Sequence, residues 1–158
     1  IENTPTDLKA HTEYANAILS QINSLKIPLD WHPYFLTSLI HAEQKDSMKK
    51  KIEKLYCLAV EELKIIDGLS PRDPWTHAKL ADCYHDLKMH DLEIQEVEFL
   101  RHLRPNDKEI LFKHGELYFS QKKYSEGIKI YDLLKIQDKE LAQKLMSSFR
   151  IHQESHLN

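Results

Sequence analysis

At 158 residues, with 22 Lys and Arg against 25 Asp and Glu, the chain is long enough for a sizeable core and carries a formal charge of −3. That balance provides no broad basic field for nucleic acid or an acidic membrane surface, and no apolar run reaches the roughly 18 residues of a membrane-spanning helix. Three glycines among many Leu, Lys and Glu residues favour helix throughout.

The first helix is expected to start at Thr4-Pro5-Thr6-Asp7, with Thr4 as cap, Pro5 at the first helical position and Asp7 reaching back. Leu8, Ala15, Ile18, Ile22 and Leu25 form its apolar stripe, and Pro28 and Asp30 mark its break. A second helix is expected from near Trp31 to Pro33, carrying Phe35, Leu36, Leu39 and Ile40 up to the polar stretch Glu43 to Asp46. A longer amphipathic segment follows, with Met48, Ile52, Leu55, Ala59, Leu63 and Ile66 at helical intervals and Gly68 as its stop. Cys57 and Cys83 lack any CxxC spacing and read as small buried apolar residues in a reducing compartment. With no charged-then-apolar leader pattern at the start, the expected location is cytoplasmic.

Asp73-Pro74 is a cap with a first-turn proline, starting a helix to about Lys88 whose partner covers about Asp91 to Arg104. The next helix begins after Asn106-Asp107, turns at Gln121 to Lys123, and its partner continues through about Ile136. Asp138 can cap a last helix with Leu141, Leu145 and Phe149 on one side.

A period of 34 residues relates Pro71 to Pro105, Ala81 to Gly115, Tyr84 to Tyr118 and Leu100 to Leu134. The pattern resembles the tetratricopeptide repeat family, in which small residues stand where the two helices of a unit cross and proline follows the second helix. Leu80, Ala81 and Tyr84 match the family's core positions in one unit. Gly115, Leu117 and Tyr118 match them in the next, followed by Gly127, Tyr131 and Leu134. Ala59, Leu63, Ile66 and Pro71 fit the second half of a divergent earlier unit. The departures are His114 in place of the usual leucine and Glu93 in place of a small residue. The resemblance implies an all-α fold of antiparallel helical hairpins stacked as a short right-handed solenoid, forming one domain over 1–158. Within it, 5–70 would be divergent N-terminal helices, 71–137 the two clearest units, 138–151 a capping helix and 152–158 a flexible tail.

In that family the first helices of successive units line a groove. Carried over by position, the groove residues are Trp75, Ala78, Lys79, Asp82, His85 and Asp86 in one unit, and Glu109, Phe112, Lys113, Glu116, Phe119 and Ser120 in the next. A subgroup binds the C-terminal carboxylates of heat-shock chaperones through Lys and Asn. Here Ala78 and Phe112 stand where that clamp has basic residues, and Asp82 and Glu116 where it has asparagine, so a carboxylate tail would be repelled. The expected partner is a protein or peptide with an apolar segment and a basic edge, held by a non-enzymatic scaffold that needs no cofactor or metal.

Other chemistry is weaker. His85, Asp86, His90 and Asp91 straddle a helix end rather than converging. His41-Ala42-Glu43 lacks the second histidine of a zinc-protease motif, and Cys83 and His85 point to different helix faces. The lysines from Lys49 to Lys54 are interrupted by Glu53 and read as a wet helix face. The remaining alternatives are a type III secretion-type chaperone, a helical metal-dependent enzyme and an RNA-associated repeat, the last requiring a continuous basic surface around Lys49 to Lys54.

Overall fold

The computed structural model describes residues 5–30 and 39–154, and their secondary structure is helical: α1 (Pro5–Asp30), α2 (Leu39–Leu69), α3 (Pro74–Asp86), α4 (His90–Leu103), α5 (Lys108–Ser120), α6 (Tyr124–Gln137) and α7 (Lys139–Glu154). The Thr4 cap, the helix start at Trp31 to Pro33, Phe35, Leu36 and the tail beyond Glu154 lie outside the described residues. The fold is all-α and divides into two compact units, Ile1–Lys88 and Met89–Asn158, within each of which successive helices pack together.

In the first unit α1 packs on α2, and α2 on α3. Ala15, Ile18 and Ile22 recur at three- and four-residue steps along α1 and are 0 to 4 % exposed. They join Ile52, Tyr56, Ala59, Leu63 and Ile66 of α2 and Leu80, Cys83 and Tyr84 of α3 in one core. Burying a side chain such as Ile22 or Leu63 contributes about 1.5–3 kcal/mol, which holds α1 against α2. The polar stretch Glu43 to Asp46 proves to be continuous α2 rather than an interruption. It contains no Pro or Gly, and Asp46 pairs with Lys50 at 2.7 Å, one turn on. Gly68 also lies inside α2, and no described glycine has a positive φ, so it is not a left-handed stop. Cys57 is exposed, contrary to expectation, because it falls outside the buried stripe of Ile52, Tyr56, Ala59 and Leu63.

In the second unit α4 packs on α5, α5 on α6, and α7 on both α5 and α6. A Cβ at Gly115 would stand 2.5 Å from Leu145 Cδ2 and 3.4 Å from Ile130 Cγ2, so this glycine permits close approach of α6 and α7 to α5. At Gly127 a Cβ would meet the Phe119 ring at 2.6 Å.

Repeated polar chemistry fixes the helix ends. Asp73 accepts the N–H groups of Trp75 at 3.4 Å and Thr76 at 3.1 Å, and Asp107 does the same for Glu109 at 3.1 Å and Ile110 at 3.3 Å. Asp138 accepts the N–H of Leu141 at 3.1 Å. The second helices α4 and α6 have no side-chain cap. The chain enters them through Lys88 (φ 61°) and Lys122 (φ 59°), left-handed residues one period apart.

Candidate partner-binding surface

On the first unit the Asp73 cap sets the start of α3 and thereby the positions of the expected contact residues. Trp75 is half-buried and packs against the core, and Ala78, three residues on, is half-buried. Lys79 and Asp82 form an ion pair at 3.9 Å on the same helix, while His85 is exposed. Asp86 is differently placed: one carboxylate oxygen accepts from Lys26 Nζ at 2.9 Å and the other from Tyr56 Oη at 2.6 Å. Burial opposes the charge on Asp86, but the hydrogen bonds from Tyr56 and Lys26 and the Lys26 charge win, holding its carboxyl below the usual range. Burial and the Asp86 bond push the Tyr56 hydroxyl up to about 12. Asp86 therefore ties α3 to α1 and α2.

On the second unit the first-helix face is shared by α5 and α7. Phe112 is half-buried, with Lys144 Nζ 5.5 Å from its ring centroid. Glu116 is exposed and accepts from the Ser148 hydroxyl at 3.4 Å. Glu109 is exposed in the first turn of α5, and Lys113 is half-buried. Ser120 is exposed, its hydroxyl donating to the Leu117 carbonyl at 2.8 Å. Phe119 departs from the expectation. It is 6 % exposed and stacks on Phe149 at 4.4 Å between centroids, so its ring belongs to the core. α7 turned it inward by supplying an aromatic neighbour.

Lys144 and Ser148 were absent from the expected set. Their signal was present at the helix caps: Asp138 follows Asp107 by 31 residues where Asp107 follows Asp73 by 34. In that shortened register α7 is a further first helix, and Lys144 repeats the position of Lys113.

Elsewhere, a depression of about 540 Å³ on α2 is lined by Asp46, Ser47, Lys50, Lys51 and Lys54. Lys50 is neutralised by Asp46, and exposed Glu53 interrupts the lysines, so the basic surface is discontinuous. Burial, followed by the Asp82 and Asp86 charges, pushes the Cys83 thiol up to about 12, which leaves it protonated and poorly nucleophilic. Among the described residues no three His, Cys, Asp or Glu side chains are grouped to hold a metal, and no helix is long and apolar enough to cross a membrane.

No protein-family model and no curated protein matches the chain. Among solved structures it is similar to MamA, residues 41 to the end, from Desulfovibrio magneticus RS-1, with a TM-score of 0.51 and 15 % identity over 88 % of this chain and 78 % of that one. Another structure of MamA aligns over 98 % of both chains with a TM-score of 0.49 and 14 % identity. At 15 % identity, the likeness to the Desulfovibrio protein is one of fold, an all-α arrangement of helices.

Proposed function

We propose that this protein is a tetratricopeptide-type interaction module that holds a segment of a partner protein on the α5–α7 face. The observation that supports this most is Phe112, a half-buried aromatic with the cation of Lys144 on one side and exposed Glu116 one turn away on its own helix. An apolar side chain of the ligand gains burial against Phe112, while a ligand Lys or Arg pairs with Glu116 or Glu109 and fixes the register. Preorganised helices limit the ordering cost of binding, and no covalent step is involved. On the first unit Asp82 and His85 are exposed, and Asp86 is held by Lys26 and Tyr56.

The test is fluorescence anisotropy with three sets of labelled peptides sharing a Leu or Phe anchor, flanked by Lys and Arg, by neutral residues, or by Glu and Asp. The basic-flanked set should bind most tightly. Phe112→Ala should weaken it about tenfold or more, and Glu116→Lys should remove the preference for basic flanks. If no set binds, or if both variants keep wild-type affinity and preference, this site is wrong.

A further inference from the structure

The outer face of α6 carries a pattern that neither the core nor the α5–α7 surface uses. Gly127, Ile130 and Leu134 are the buried side of this helix. Opposite them, Ile128 is 50 %, Leu133 42 % and Ile136 84 % exposed. Between these apolar side chains lie Lys129 and Asp132, both exposed and without an ion-pair partner among the described residues.

One period upstream, α4 has a different arrangement. Ile94, the register mate of Ile128, is only 5 % exposed, and Gln95 and His102 stand where α6 has Lys129 and Ile136. The mate of Asp132 is Glu98, which accepts the Tyr118 hydroxyl and is therefore engaged within the unit. At these register positions α4 lacks the combination of exposed aliphatic residues and two unengaged, opposite charges that α6 carries.

We infer that this face is a self-association surface, on which α6 of one copy packs antiparallel against α6 of a second copy. A twofold axis passing between Ile130 and Tyr131 places Lys129 opposite Asp132 of the second copy across the seam, with Ile128 and Leu133 on its two flanks. The charge pairing occurs twice, as an isologous interface requires. A parallel pairing would instead bring Lys129 against Lys129 and Asp132 against Asp132, which is repulsive. Charge thus selects both the occupant and its direction, while burial of Ile128, Leu133 and Ile136 supplies the attraction. A single helix pair is small beside the roughly 1,600 Å² of a standard stable interface. The dimer is accordingly weak, reversible and dependent on concentration.

Sedimentation equilibrium of the full chain, from about 1 μM to about 1 mM, spans the affinities of such small interfaces. Wild type should show a monomer–dimer equilibrium. Ile136→Asp should raise the dissociation constant about tenfold or more by burying an unpaired charge. Lys129→Asp and Asp132→Lys should each weaken homodimerisation, because each places like charges opposite one another. An equimolar mixture of these two variants should recover association to within about threefold of wild type, since the heterodimer regains two opposite-charge pairs. These positions are exposed, so unchanged circular dichroism and unfolding midpoints would attribute the losses to the interface. A protein that stays monomeric over the whole range, an association indifferent to Ile136→Asp, or a mixture no better than its components would overturn the proposal.

Discussion

His114 occupies a position where the resembled family places leucine, and its surroundings make it a sensor of pH for the stability of its unit. It is 1 % exposed, and both ring nitrogens are buried without a hydrogen-bond partner. Its ring lies 4.4 Å from that of Tyr118. Burial, followed by the charge of Arg101, lowers its pKa to about 4; Glu98, with Oε1 3.9 Å from Nε2, opposes the shift, and His102 adds slightly to it. The folded-state pKa is thus below the usual unfolded value of about 6.5, so between the two the unfolded chain binds more protons. Stability from this group is complete above about pH 6.5 and is lost as pH falls towards 4. For the wild type, the loss attributable to His114 between pH 7.5 and pH 5 is about 2 kcal/mol. His114→Leu should remove that share and also relieve the cost of two unsatisfied nitrogens. Urea unfolding of both proteins at the two pH values measures the difference; identical pH dependence would show that His114 is not the group responsible.

At the scale of helices, the two buried glycines of the second unit set different limits on approach. Gly115 faces the flexible end of Leu145, which can rotate, and an added methyl group also gains helix propensity of about 1 kcal/mol. Gly127 faces three atoms of the Phe119 ring, within 3.0 Å of an added Cβ, and that ring is held by Phe149. Gly127→Ala should therefore lower stability by about 1–3 kcal/mol through overpacking, while Gly115→Ala should change it by less than about 1 kcal/mol because the two effects offset. Chemical denaturation of the pair checks the order, and a larger loss at Gly115 would mean that Leu145 cannot yield. The sequence made these crossings legible because small residues recur at defined register positions. It also announced the starts of α3, α5 and α7 through Asp73, Asp107 and Asp138, whose caps are local hydrogen bonds. The left-handed residues Lys88 and Lys122 escaped notice, since lysine is not a typical occupant of positive φ.

For the whole molecule, the two proposed surfaces occupy different helices of the second unit and share no residue. Ile136→Asp should leave peptide affinity at the α5–α7 face within about twofold of wild type, and Phe112→Ala should leave self-association equally unchanged, as sites that share no partner residues contribute additively. Anisotropy and sedimentation on the single and double variants provide the comparison. A coupling larger than this between the losses would mean that the two surfaces act as one. What the sequence alone determined was the all-α class, the helix starts after capping aspartates and the small residues at the crossings of the second unit. These follow from backbone chemistry within a few residues and from a repeat period. Tertiary structure decided which side chains remain available to a partner. Nothing local to α3 announces that Tyr56 and Lys26, 30 and 60 residues away in the chain, bind the Asp86 carboxylate. Phe119 reads as an exposed anchor until Phe149 stacks on it, and Cys57 reads as core until the α2 stripe turns it outward. Exposure depends on which distant elements pack together, and neither local propensity nor the period specifies those neighbours side chain by side chain.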